Sequence, residues 1–246
     1  MTGSLVIVGT GPGKPELMTP ATQAALAGAT DLVGYGPYLD RVPATAGQCR
    51  HASDNRVELD RARHALALAA AGRRVAVVSG GDPGVFAMAA AVFEAVEAGE
   101  PAWRSLDIRV EPGVTAMLAA AAEVGAPLGG DFCAISLSDN LKSWEIIERR
   151  LKAAAEADFV IALYNPASKA RPHQLGEAFK LLRGVKAADT PVLFVRAAGS
   201  SDAKVFATTL ADADGAQADM RTLVIVGAST TRQVGRWIYT PRGARP

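Results

Sequence analysis

The 246-residue sequence predicts an α/β fold, in which two α/β domains enclose a ligand cleft between them. Three observations lead there. Short apolar runs rich in valine and isoleucine alternate with stretches whose apolar residues recur at helical spacing. Several of these runs end directly in glycine-proline turns, where a strand must reverse into a helix. The alternation pauses at 125–130 (G-A-P-L-G-G) and restarts, which predicts a linker between a domain at 1–124 and a second at 131–246.

In chain order, 4–8 (S-L-V-I-V) reads as a buried strand, 19–26 as a short helix closed by Gly28, and 31–34 as a second strand. Residues 34–38 (G-Y-G-P-Y) form a loop, and the alanine-rich 56–71 a helix that ends before Gly72. Val75-Ala76-Val77-Val78 reads as a strand, and Val85, Met88, Ala89, Val92, Phe93 and Val96 mark one face of the helix after it. Asp82 is expected to cap that helix, with Pro83 at its first position. A strand at 106–110 leads through Pro112-Gly113 into a helix reaching about Val124. The second half reads as strand 132–136, helix 143–155, strand 159–163, helix 172–182, and strands at 192–195, 205–209 and 223–226. Its surplus of strands predicts a partly antiparallel sheet.

Composition narrows the function. Hydrophobic residues make up 49% of the chain, with mean hydropathy +0.14, so the chain is globular. A formal net charge of +1 supplies no basic face for nucleic acid. Cys49 and Cys133 are too few for a disulfide framework, which suits a reducing cytoplasm. The two cysteines and His51, His64 and His173 show no metal-ligand spacing, so no metal is expected. No basic, apolar leader opens the chain and no run approaches the ~20 apolar residues of a membrane span, so neither secretion nor a membrane is expected.

The stretch 79–86 (S-G-G-D-P-G-V-F) follows a strand and precedes a helix, the place where open α/β sheets hold ligands. Nucleotide motifs fail at the first such turn, 9–14. A Walker loop needs glycine at Val8 and serine or threonine at Pro15, and in the dinucleotide fingerprint the third glycine comes one residue early.

Four stretches in order carry a resemblance: V-G-T-G-P-G at 8–13, S-G-G-D-P-G-V-F at 79–86, E-P-G-V-T-A at 111–116 and L-S-D-N-L at 137–141. Together they resemble the tetrapyrrole (precorrin) methyltransferases that use S-adenosylmethionine, over essentially the whole chain. Within that family, L-Y-N-P-A-S-K-A-R at 163–171, Y-G-P-Y at 35–38 and Y-T-P-R at 239–242 are similar to members that methylate C(17) of a precorrin and contract its macrocycle. The resemblance implies a cofactor site of Pro12, Gly80, Gly81, Asp82, Val85, Phe86, Thr115 and Ala116, joined by Leu163, Tyr164, Gly227 and Ala228. It implies Asn165, Ser168, Lys169 and Arg171 beside a polycarboxylate tetrapyrrole substrate, and a homodimer. It names no general base.

Other readings have their own signatures. A cobalt-loaded substrate is the nearest alternative, and the chain shows no extension with clustered cysteines. An RNA or protein methyltransferase of the same fold meets the weak charge of +1. A non-catalytic nucleotide-binding module meets the two failed nucleotide motifs.

Overall fold

A computed structural model describes residues 3–54 and 57–243. The chain divides into two compact units, Met1–Ala116 and Met117–Pro246.

In the first unit, β1 (Ser4–Gly9), α1 (Pro20–Gly28), β2 (Asp31–Tyr35), α2 (Gly36–Leu39), β3 (Cys49–Ser53), α3 (Glu58–Ala70), β4 (Arg74–Ser79), α4 (Met88–Ala98) and β5 (Asp107–Glu111) follow in order. The strands form one sheet in the order β3-β2-β4-β1-β5, and every pair is parallel. The valine-rich runs are continuous because both faces of this sheet are covered. Leu5, Ile7, Val75 and Val77 point to one side, onto Ala62, Leu66 and Ala69 of α3 and Met88 and Val92 of α4. Val6, Val8, Ala76 and Val78 point to the other, onto Leu26 of α1 and Leu39 of α2. Period-two alternation thus separates two cores on one strand set.

The second unit holds α5 (Ala116–Val124, counted from the boundary residue), β6 (Gly125–Ala126), β7 (Phe132–Ser136), α6 (Trp144–Glu156), β8 (Val160–Tyr164), α7 (Gln174–Arg183), β9 (Pro191–Arg196), β10 (Lys204–Thr209), β11 (Thr222–Val226), β12 (Arg232–Val234) and β13 (Trp237–Tyr239). Its main sheet runs β10-β9-β11-β8-β7, with β11 antiparallel to both β8 and β9 and β10 antiparallel to β9. The expected mixture of strand directions is therefore present. Ile147 and Leu151 of α6 and Leu175, Phe179 and Leu182 of α7 bury one face of that sheet. Among the described residues no helix is long and apolar enough to cross a membrane.

The expected α/β architecture holds, with local corrections. The segment 125–130 is no free linker. Gly125 and Ala126 pair with Ile238 and Tyr239, and the amide of Thr240 donates to the Ala126 carbonyl, which folds the segment into the second unit. The helix expected from Val85 starts at Met88, with Ala87 at its cap position, so Asp82 does not cap it. The helix expected over 56–71 is observed as Glu58–Ala70, and Arg56 lies outside the described residues. The loop expected at 34–38 closes as the single-turn helix α2. Strands β3, β6, β12 and β13 have no counterpart in the sequence reading; β3 (C-R-H-A-S) and β12 (R-Q-V) carry too few apolar residues to announce themselves.

Candidate functional site

The first-unit sheet brings three turns side by side at the carboxyl ends of β4, β1 and β5, which are neighbours in the sheet. After β1 the chain crosses toward β2 on one side, and after β4 it crosses toward β5 on the other, so the turns between them open at the switch point where such sheets bind ligands.

Backbone groups lock these turns together. The Gly11 amide donates to the Gly81 carbonyl (3.2 Å) and the Gly81 amide to the Gly11 carbonyl (2.8 Å). Asp82 supplies the remaining tie: Oδ1 accepts from the Gly84 amide (2.8 Å) and Oδ2 from the Gly113 amide (3.0 Å). Asp82 is thus a bridge between two turns, and its Oδ1 bond makes the local turn that an Asx side chain favours. Gly113 is glycine because a Cβ there would stand 2.2 Å from the Gly81 carbonyl oxygen. Gly81 differs. Its φ is +63°, and a Cβ would make only ordinary contacts, the nearest at 3.8 Å to Thr115 Cα, so it faces accessible space beside Thr115 and Ala116. Beyond it, Phe86 holds φ +52° with 53% of its surface exposed, an unusual conformation for a bulky residue. Pro12, Gly80, Gly81, Asp82, Thr115 and Ala116 are therefore gathered on these three turns, with Val85 and Phe86 on the arm that follows. Gly80 does not open the backbone to a ligand: its missing side chain makes room for the Tyr38 ring, which a Cβ would approach to 2.8 Å.

In the second unit, the carboxyl ends of β7, β8 and β9 lie at one edge of the main sheet, because these strands run the same way. Leu163 and Tyr164 end β8, and the Tyr164 hydroxyl accepts from the Met117 amide (3.0 Å). Asn165 follows at φ +53° and donates from Nδ2 to Ser136 Oγ (2.9 Å) at the end of β7. Residues 168–171 close a tight turn, with Ser168 and Arg171 exchanging both backbone hydrogen bonds. Lys169 is exposed. Arg171 is buried, with Nη1 donating to Gln174 Oε1 (3.3 Å) and Nε 3.9 Å from Asp139 Oδ1. Its Nε and the Ser168 hydroxyl are both buried without a hydrogen-bond partner.

Gly227 and Ala228 are not brought together with Leu163 and Tyr164. Since β11 runs antiparallel to β8, they emerge at the opposite edge of the sheet, where the Gly227 amide donates to the Pro191 carbonyl (2.8 Å). Thr231 fills the space over Gly227, which is the local reason for that glycine. The turn that does share the edge with Tyr164 is the one after β9, where Ala197 stands at φ +51°. The sequence R-A-A-G carries no motif there, and only the adjacent Gly199 hints at a turn. Lys142 was also missed. It follows L-S-D-N-L, and its Nζ donates to the Ser138 carbonyl (3.2 Å). Burial pushes its ammonium below the usual lysine range and Arg150 adds to this, while Asp139 opposes. Among the described residues no group of three or more side chains could hold a metal ion.

The architecture and the three-turn site define a class: a two-unit α/β protein with its glycine turns at a sheet switch point. The family model of the Tetrapyrrole (Corrin/Porphyrin) Methylases matches residues 4–214, and the chain belongs to that family. It is 61% identical to a precorrin-3B C(17)-methyltransferase of a Sinorhizobium species, over 98% of this chain and 97% of the relative. A probable cobalt-factor III C(17)-methyltransferase of Salmonella typhimurium is 43% identical, over 97% and 98% of the two chains. The crystal structure of the methyltransferase CobJ superposes with a TM-score of 0.95 at 55% identity, covering 97% of this chain and all of the other.

Proposed function

We infer that this chain is an S-adenosylmethionine-dependent C-methyltransferase that acts on precorrin-3B at C(17), with contraction of the macrocycle to precorrin-4, in cobalamin biosynthesis. The observation that carries the reading is the near-full-length, 61% identity to a relative of that name. The geometry supports it. Gly81 is free of steric neighbours on the side a cofactor would take, and the backbone amides and carbonyls of the three turns offer fixed polar partners without mobile side chains.

S-adenosylmethionine, when bound, supplies an electrophilic methyl group whose in-line transfer releases a neutral thioether. No side chain need take part covalently. The task of Gly81, Asp82, Thr115 and Ala116 is to orient the cofactor and exclude water, while Gly80 seats the Tyr38 ring beside them. In the second unit, Leu163, Tyr164 and the Ala197 turn share one sheet edge, whereas Gly227 and Ala228 lie at the other. On the substrate side, Ser168 Oγ and Arg171 Nε are two buried donors in one tight turn, a chemistry that suits a precorrin carboxylate. Asn165, three residues before that turn, is held to Ser136 Oγ, and Lys169 within the turn adds an exposed positive charge. The protein works in the cytoplasm as a homodimer, and its methyl transfer calls for no metal.

The test is turnover of precorrin-3B with S-adenosylmethionine, read by mass spectrometry of the product. One added methyl group at C(17) and a contracted ring are expected. Methylation of cobalt-factor III alone would move the protein to the metal-loaded substrate, which the Salmonella relative makes the second reading.

A further inference from the structure

On the outer edge of the first-unit sheet, away from the three turns, a buried carboxylate and two imidazoles form a string. Asp31, the first residue of β2, is 2% exposed. Its Oδ2 accepts from Arg73 Nε and from the Thr30 hydroxyl, both at 2.7 Å, and its Oδ1 lies 3.0 Å from Nε2 of His51 on the edge strand β3. His51 Nδ1 in turn lies 3.1 Å from Nε2 of His64 on α3, with ring centroids 4.8 Å apart and planes at 60°. His64 is exposed, so the string ends at the surface.

The carboxylate decides what His51 can do. Facing an ionised Asp31, Nε2 carries the proton, and Nδ1 is left with its lone pair directed at His64. This is the carboxylate–histidine arrangement that fixes a ligand imidazole in place from behind. The same 3.1 Å can be spanned in two ways. His64 Nε2–H can donate to Nδ1, or His64 can take its other tautomer so that two lone pairs converge on one cation. With metal–nitrogen bonds of about 2.0–2.1 Å, that separation gives a nitrogen–metal–nitrogen angle of about 100°, between the octahedral and tetrahedral values. Arg73 already neutralises Asp31, so the carboxylate remains behind the imidazole and is not itself a ligand.

We propose that His51 and His64 form a surface site for a borderline divalent cation of the Ni²⁺, Cu²⁺ or Zn²⁺ type, completed by water and oriented by Asp31. The cation ties the edge strand β3 to α3. The site is independent of the methyl-transfer chemistry. Cys49 lies two residues before His51 on the same strand and takes no part in it.

The experiment uses the full chain without an affinity tag, stripped with a chelator and titrated with Ni²⁺ in a calorimeter, with thermal melts alongside. One saturable equivalent per chain and a raised melting temperature are expected. His64→Ala, an exposed change that leaves the fold intact, should weaken binding at least about tenfold and abolish the melting shift. Cys49→Ser should change neither. With Cu²⁺, electron paramagnetic resonance should show coupling to two nitrogens, and to one in His64→Ala. The proposal is overturned by non-saturable binding in the millimolar range, by unchanged affinity in His64→Ala, or by loss of binding in Cys49→Ser.

Discussion

Asp82 shows how one side chain can look like a capping residue in sequence and serve another purpose in space. Its two carboxylate oxygens each hold one amide, Gly84 on its own loop and Gly113 on the turn after β5. An asparagine keeps the first acceptor but presents an NH₂ to the Gly113 amide, leaving two donors face to face. An unmatched buried or half-buried donor costs about 1–3 kcal/mol. Asp82→Asn is therefore expected to lower unfolding stability by that amount and to loosen the Gly113 turn. Chemical denaturation of the two proteins checks it; equal stabilities would show that the bridge carries no weight.

Elements in which pattern and burial agree were legible from sequence. The strands β1, β4, β8 and β11 are apolar on both faces, so they read as strands whatever their neighbours. β3 and β12 have mostly exposed residues and are held by partners far along the chain, which no local signal reports. The three turns of the first unit were legible as turns because glycine and proline mark them. In the second unit, the register of β11 decided which turn belongs at the Tyr164 edge, and sequence spacing does not show direction. Hence the resemblance grouped Gly227 and Ala228 with Leu163 and Tyr164, while β11 carries them to the opposite edge. The Ala197 turn carries a strain that can be tested. Alanine at φ +51° costs roughly 1–2 kcal/mol, which glycine would relieve while adding about 0.4–1 kcal/mol of unfolded-state entropy. Ala197→Gly should then leave the melting temperature equal or higher, whereas Ala197→Val should lower it. A clear loss of stability with glycine would mean that the turn is not strained.

At the scale of the molecule, each unit holds carboxylates whose acidity folding strengthens, so acid acts on both. In the first unit, burial acts to raise the Asp31 carboxyl, but hydrogen bonds from Arg73, Thr30 and His51 outweigh it and bring the value down from 3.8 to about 2. In the second unit, burial likewise acts to raise Asp158 and Asp219. Ser229 and Lys186 pull Asp158 below the ordinary range, and Arg196, Thr222 and the Arg221 amide do the same for Asp219. A carboxyl depressed by folding adds stability that is fully present above its unfolded value and disappears as pH falls through its folded value. All three act in the same direction, so stability should hold level from neutrality to about pH 4 and fall below it. For Asp31 the drop to about 2 corresponds to roughly 2 kcal/mol, lost between about pH 4 and pH 2. Asp31→Asn should make the protein less stable at neutral pH, because Arg73 and His51 lose an ionic partner, yet should flatten the acid limb by about that amount. Denaturant unfolding of both proteins at a series of pH values measures the two slopes. A variant limb as steep as the wild-type one would place the acid sensitivity in Asp158 and Asp219 of the second unit, and would remove Asp31 from the account.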